Sequence, residues 1–309
     1  MNKVRLALIG TGRWGQNIQK TVALLPDAEL AYTATLDWRT LLDKTDIDGV
    51  LIATPPSTHA EIALAFLEHG VPVFVEKPMT DSLAEAQRLA AAAHDRVLVG
   101  HIHLYNPAYQ QVRELLPQLG AVRLMVSEGA NNGPYRDDYS ALWDWAPHDI
   151  SMMADLLGMP QQVAAWGAAI LRPGTNLYDT SYIKLDFAGG AVGIITSSWL
   201  MPQKRKKLTI VGATSSVVYD DTLPEHKVTL FADMGPTVVG GVVTRQEPAV
   251  SYPPYAADMP LTLEVEAFVR MIRTKEKPRS DVALGLKVVQ ILDAAERSIA
   301  AGGTPVPLI

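Results

Sequence analysis

Three groups of residues in this 309-residue chain have types and spacings that can do chemistry. The first is Gly10-Thr11-Gly12-Arg13-Trp14-Gly15, standing between the apolar run Val4 to Ile9 and a segment, Arg13 to Leu25, that reads as a helix stopped by Pro26. Glycines so placed allow a tight turn, close approach of the backbone to a pyrophosphate, and helix–strand packing, while the helix N-terminus offers amides and a positive dipole. A turn that merely needs glycines would look the same locally. Asp37 favours the dinucleotide: it follows the apolar run Glu29 to Leu36, 22 positions after Gly15. A carboxylate there accepts from a ribose 2′-hydroxyl and repels a 2′-phosphate, so NAD is expected over NADP. Arg39, which could pair with that phosphate or stack on adenine, reads instead as a solvated charge.

The second is Lys77, after the run Val71 to Val75; open α/β sheets place ligands at the carboxyl edges of their strands. Taken alone, Lys77 reads rather as a surface lysine in a turn. The third is Asp144 with His148, four positions apart and on one face if a helix begins near Asp144. A carboxylate beside an imidazole orients it and stabilises its cation, as a general base for an alcohol requires. The alternative is Asp144 as an N-cap and His148 as a packed histidine; Asp149 reads as a helix-start carboxylate.

Weaker signals surround these. His101 and His103 read as two apart on a strand, facing one side as metal ligands would, but no third ligand clusters with them and no metal is expected. Tyr135, Tyr139, Trp143 and Trp145, with Asn131, Asn132 and Arg136, offer ring faces and polar groups that suit a sugar, though aromatics so spaced also build cores. The run Lys204 to Lys207 reads as a solvated strand edge.

The elements that must position these residues change character along the chain. Up to Leu119, apolar strands (Val4 to Ile9, Glu29 to Leu36, Gly49 to Ala53, Val71 to Val75, Val97 to His101) alternate with helices, the pattern of a parallel sheet. Thr58 with Glu61 and Ser82 with Glu85 read as capping boxes, and Asn106-Pro107 as a helix start. Beyond Gly120, strands at Val122 to Ser127, Val163 to Leu171, Ser181 to Phe187, Ala191 to Ser198, Lys207 to Val211 and Ser216 to Tyr219 connect directly, which implies a mostly antiparallel sheet. One helix, Pro147 to Leu157, interrupts it; Ala232 to Pro260 reads as loop, and helices at Leu263 to Thr274 and Val282 to Ala300 close the chain. The expected domains are 1–120 and 121–309.

Composition narrows the partners. With 27 basic and 33 acidic residues the formal charge is −6, so the basic surface that nucleic acid requires is not expected. The absence of cysteine excludes disulfides, thiolate metal sites, cysteine nucleophiles and iron–sulfur clusters, and fits a reducing cytoplasm. No window approaches the roughly 18 apolar residues of a membrane helix, and no cleavage-site pattern follows the run broken at Gly10, so neither a membrane nor a signal peptide is expected.

These motifs together resemble a known family, the two-domain glucose–fructose oxidoreductase, inositol dehydrogenase and rhizopine-catabolism (Gfo/Idh/MocA) oxidoreductases. The resemblance runs through IGTGRWGQN, ATPPSTHAEIA at 53–63, VEKP at 75–78, GHIHLYNP at 100–107, LWDWAPHDIS at 142–151, PLTLEVEAFV and SDVALGLKVVQIL. Glu-Lys-Pro and the Asp-x-x-x-His pair are its specific parts. It implies an α/β fold, an N-terminal NAD-binding Rossmann domain followed by a substrate-binding and oligomerisation domain with an open, mostly antiparallel sheet. It implies an NAD-dependent dehydrogenase of a secondary alcohol in a sugar or nucleotide sugar, in a cytoplasmic homodimer or homotetramer. His148 becomes the base, Asp144 its orienting partner and Lys77 the group polarising the oxygen. Arg13, Trp14, Thr54, Pro55, His59 and Glu76 join Gly10, Gly12, Gly15, Asp37 and Lys77 at the cofactor. His101, Tyr105, Asn106, Arg136 and Trp143 line the substrate pocket with Asp144 and His148. The arginine that some relatives carry near the GHxxxYNP stretch is missing. The branch most resembled acts on nucleotide-linked amino sugars or uronic acids. Free polyol or inositol dehydrogenases, and non-catalytic sensors on the same fold, are the alternatives; the sensors tend to lose the lysine or histidine that this chain keeps.

Overall fold

Five short apolar runs within residues 4–100 line up side by side in the computed structural model, which describes residues 2–233, 237–244 and 247–308. They are β1 (Val4–Ile9), β2 (Ala28–Ala34), β3 (Gly49–Ile52), β4 (Val73–Glu76) and β5 (Val97–Gly100), parallel throughout in the order β2-β1-β3-β4-β5. Helices α1 (Arg13–Leu24), α2 (His59–Glu68) and α3 (Leu83–Ala92) make the crossovers. Every residue of β3, β4 and β5 is buried, as a sheet covered on both faces requires. The strand order reverses between β1 and β3, and beyond their carboxyl ends an open α/β sheet has its ligand crevice.

The second region carries α4 (Pro107–Leu115), β6 (Leu124–Asn132), α5 (Ala141–Leu157), β7 (Gln162–Ala168), β8 (Thr180–Asp186), β9 (Val192–Ser198), β10 (Leu200–Val211), β11 (Ser216–Asp220) and β12 (Val228–Ala232). The short strands β13 (Thr237–Val239), β14 (Val242–Thr244) and β15 (Ala249–Ser251) follow, and β16 (Val306–Pro307) lies near the C-terminus. Nine strands form one sheet, β15-β12-β11-β10-β6-β9-β8-β7-β16, antiparallel at every junction except β6–β9. Along β8, Ser181, Ile183 and Leu185 are buried and Tyr182 is 46% exposed. Helix α5 packs on β6, β8 and β9.

The chain then returns to the first sheet. Helix α6 (Pro260–Thr274) lays Phe268 and Ile272 into the space left by Gly49, where a Cβ would come 2.5 Å from Ile272 Cδ1. The Phe268 ring meets Phe74 edge-on at 5.9 Å. At the start of α7 (Val282–Ala300), Gly285 admits Met79 and Val99, and the Val99 amide donates to the Ser280 carbonyl at 2.8 Å. Contacts therefore divide the chain into Met1–Asn106 with Asp258–Gln290, and Pro107–Ala257 with Ile291–Ile309, rather than at Gly120.

Several local expectations are corrected. Helix α5 begins at Ala141, with Ser140 at its N-cap position and Pro147 in its interior, because Asp144 N–H already donates to the Ser140 carbonyl at 3.0 Å. The Thr58–Glu61 capping box does not form: Thr58 Oγ1 donates to the Pro55 carbonyl at 2.8 Å, and Glu61 pairs with Arg39. Ser82 does accept from Glu85 N–H, at 3.4 Å. The segment read as loop holds β13, β14 and β15; its residues 234–236 and 245–246 lie outside the described residues.

Candidate active site

The glycine loop is built from three different steric demands. Gly10 has φ +99°, and a Cβ there would lie 2.5 Å from the Ala53 carbonyl oxygen, so strand β3 closes on it. A Cβ on Gly15 would lie 2.0 Å from the Gly10 carbonyl oxygen, which packs α1 against the turn. Gly12, by contrast, meets nothing within 4 Å. It is the N-cap of α1, no side chain caps that helix, and no acidic residue occupies its first turn. Free amides, a positive helix end and an open face at the strand-order reversal fit a pyrophosphate, and so fit NAD.

Asp37 lies three residues beyond β2, exposed, with Oδ1 accepting from Thr35 N–H at 3.1 Å. Arg39 is exposed, and its guanidinium lies over Trp38 at 4.4 Å and pairs with the equally exposed Glu61. Trp14, partly exposed, donates its indole N–H to Glu76. Glu76 also accepts from the Lys77 amide at 3.2 Å, and burial pushes its carboxyl up to about 7 against the pull of Trp14 and Lys77. Glu76 is thus a buried support for Trp14. Lys77 itself is half-buried at the end of β4, before a cis peptide to Pro78.

His59 supports the scaffold on which these turns stand. It is fully buried, its ring nitrogens 2.9 Å from the Thr54 carbonyl and 3.0 Å from the Pro78 carbonyl, and burial pushes its pKa down. The imidazole therefore ties the Thr54-Pro55 turn to the Lys77-Pro78 turn. Thr54 is half-buried, and Pro55 and Arg13 are exposed.

His101 and His103 do not share a strand: β5 ends at Gly100 and His103 sits in a short 3-10 turn, Ile102–Tyr105. Among the described residues no group of three or more His, Asp or Glu could hold a metal. His101 is fully buried with neither ring nitrogen hydrogen-bonded; burial first, then the Lys77 and His103 charges, push it down to about 3, so it is neutral. Tyr105 is buried and spends its hydroxyl on Ser280, 2.9 Å from the Ser280 hydroxyl and accepting from its amide at 3.3 Å, while Asn106 is buried beside it in the chain.

In the second unit, Asp144 and His148 lie on successive turns of α5, both half-buried. Trp199, absent from the sequence reading, donates its indole N–H to Asp144 Oδ2 at 3.1 Å. Asp149 is no helix-start carboxylate: it is buried against β6, where the Ser127 hydroxyl donates to Oδ1 and a Cβ on Gly129 would lie 2.6 Å from Oδ2. Burial raises it to about 7 despite Ser127 and Lys206. Trp143 is buried and its indole donates to Glu296. Arg136 and Tyr135 are exposed, and Arg136 lies 5.4 Å over the Tyr139 ring.

Comparison with known proteins identifies the family. Residues 17–102 match the family model described as oxidoreductase family, NAD-binding Rossmann fold, and residues 109–218 the one described as GFO/IDH/MocA C-terminal domain. A crystal structure from Magnetospirillum magnetotacticum MS-1, described as an oxidoreductase, is 35% identical with a TM-score of 0.82 over 95% of this chain and 99% of that one. The UDP-N-acetylglucosamine 3-dehydrogenase of Acidithiobacillus ferrooxidans is 31% identical over 170 residues, 53% of each chain. The scyllo-inositol 2-dehydrogenase (NAD(+)) of Bacillus subtilis is 24% identical over 269 residues, 76% of this chain and 78% of its own. Among the described residues, no helix is long and apolar enough to cross a membrane.

Proposed function

Because the chain belongs to the GFO/IDH/MocA family of NAD-binding oxidoreductases, we propose that it interconverts a ring secondary alcohol and its ketone in a nucleotide-linked amino sugar or uronic acid. The observation that carries the reading is the pairing of Asp144 and His148 on successive turns of α5. The similarity to the UDP-N-acetylglucosamine enzyme supports the substrate class.

NAD, when bound, supplies the two-electron acceptor. In this reading the residues of the chain do the rest. The amides at the start of α1 and the open face of Gly12 hold the diphosphate, and Asp37 accepts from the adenosine ribose. His148 takes the hydroxyl proton as the carbonyl forms, Asp144 holds the imidazole in register and supports its positive charge, and Lys77 donates to the reacting oxygen. A base of this kind contributes typically 10²- to 10⁴-fold in rate.

The relative that acts on scyllo-inositol aligns along most of this chain, and a free inositol is the second reading. Trp166 and Tyr182, a cross-strand pair about half exposed on the nine-stranded sheet, support a homodimer or homotetramer formed on that face. The lack of cysteine fits a cytoplasmic setting.

The test is nicotinamide absorbance with purified protein, NAD or NADP, and a panel of UDP-N-acetylglucosamine, UDP-glucuronic acid, free hexoses and inositols. Reduction with the nucleotide sugars and NAD is expected. Lys77→Ala and His148→Ala should lose turnover while keeping NAD affinity. Turnover that survives in both variants overturns the assigned roles, and NAD binding with silence across the panel overturns the enzyme reading in favour of a sensor.

A further inference from the structure

We propose that Trp199 is a positioning residue for Asp144, holding its carboxylate in the orientation that His148 requires. The inference rests on the reading of Asp144 above.

The indole N–H of Trp199 donates to Asp144 Oδ2 at 3.1 Å, a hydrogen bond to a charged acceptor in a setting with little competing water, since Trp199 is fully buried. Trp199 is itself fixed from both sides of its backbone. It lies between the ends of β9 and β10, its amide donating to the Asp179 carbonyl at 2.9 Å and its carbonyl accepting from Gly133 N–H at 2.9 Å. The ring is also fixed. Arg172 lies over it at 6.0 Å, and this guanidinium stands 3.7 Å from Asp179, which is fully buried and accepts from Leu171 N–H at 2.8 Å. A second carboxylate, Asp137, holds Arg172 from the solvent side at 2.9 Å.

Asp144 sits in the first turn of α5, four residues past Ser140, and its carboxylate turns about two side-chain torsions. A bond from an indole with a fixed backbone removes that freedom on one oxygen. Positioning of this kind matters because misplacement of a reacting group by about 1 Å costs on the order of 100-fold in rate.

The bond is read directly by the indole 15N–1H spectrum of the full-length protein, with Trp199 assigned from Trp199→Phe. In Asp144→Ala the Trp199 indole resonance should move upfield; a resonance that stays in place overturns the proposal without reference to any substrate. Kinetically, Trp199→Phe keeps the ring and removes the donor. With UDP-N-acetylglucosamine, or scyllo-inositol where the panel selects it, kcat should fall roughly 10- to 100-fold, with KM changed less than about threefold and NAD affinity unchanged. Equal loss in KM and NAD affinity marks a structural role and overturns the proposal. The two readings fail separately: Asp144→Ala with wild-type kcat defeats the assignment of Asp144, whereas an inactive Asp144→Ala beside a fully active Trp199→Phe defeats only the assignment of Trp199.

Discussion

The carbonyl oxygen of Gly10 lies where the side chain of residue 15 would begin, 2.0 Å from a Cβ on Gly15, so the first and third glycines of the loop lock each other. The middle glycine is locked by nothing. Gly10→Ala or Gly15→Ala should therefore cost about 3 kcal/mol in urea unfolding, the sum expected for a strained backbone and a backbone overlap. Gly12→Ala should change stability by less than about 1 kcal/mol and still weaken NAD binding at least about tenfold, by filling the face the diphosphate approaches. Isothermal titration checks the second outcome; Gly12→Ala binding NAD as the wild type does would remove the diphosphate from that face.

Coenzyme choice should follow Asp37 rather than Arg39, whose charge is already engaged by Glu61 and Trp38. Asp37→Ser is expected to raise kcat/KM for NADP roughly tenfold, about 1.4 kcal/mol, and to lower that for NAD. Adding Glu61→Gln should favour NADP further by releasing Arg39. Steady-state kinetics with both cofactors decides the matter, and an unchanged ratio in the double variant would exclude Asp37 as the selector.

Asp149 makes stability depend on pH in a definite direction. Its folded pKa, about 7, is above the ordinary 3.8, so the stability it permits is fully present below about pH 4 and is lost as pH rises through 7. Asp149→Asn keeps the oxygen that accepts from Ser127 and carries no charge. The variant should match the wild type at pH 4 and gain on it with rising pH, by at most about 1.4 kcal/mol per unit between those limits. Thermal melts at pH 4, 5.5 and 8 measure this; a constant difference would mean that Asp149 does not titrate as its burial demands.

Glu264 predicts a similar trend in the first unit. It is fully buried with neither carboxyl oxygen hydrogen-bonded, and burial first, then the Glu76 charge, raises its pKa well above the ordinary range. Two buried carboxyls this close do not both ionise, and Glu76, with Trp14 and Lys77 N–H donating to it, is the better anion. Glu264→Gln should leave the melt at pH 4 unchanged and raise it at pH 8, and Glu76→Gln should raise it at pH 8 by less. The opposite order would place the proton on Glu76.

What the sequence made legible follows from periodicity and local rules. The βαβ alternation, the glycine loop and the Asp144–His148 spacing are local patterns, and each stands where it was expected. Pro147 misled because a proline reads as a helix's first residue, while α5 carries it seven residues in. Thr58 misled because its hydroxyl found the Pro55 carbonyl before the helix amides. His59, Glu76, Tyr105 and Trp143 carry polar groups that burial turned inward, and no one-dimensional pattern tells a buried donor from one facing a ligand. Trp199 was invisible for a related reason: its partner is 55 residues away. A lone tryptophan closing the run Ser197-Ser198 was its one signal.

The slots opened by Gly49 and Gly285 set an order of events during synthesis. Both need chain made after residue 257: Phe268 and Ile272 fill the first, and Gly285 itself brings the second to Met79 and Val99. Domains generally fold as units, N-terminal first as the ribosome delivers them. Here the NAD-binding unit is begun before Pro107–Ala257 is made and finished only after it. Until Asp258–Gln290 has emerged, the face of Phe74 and Gly49 lacks its cover in the nascent chain, and this is the stage at which a chaperone has a surface to hold.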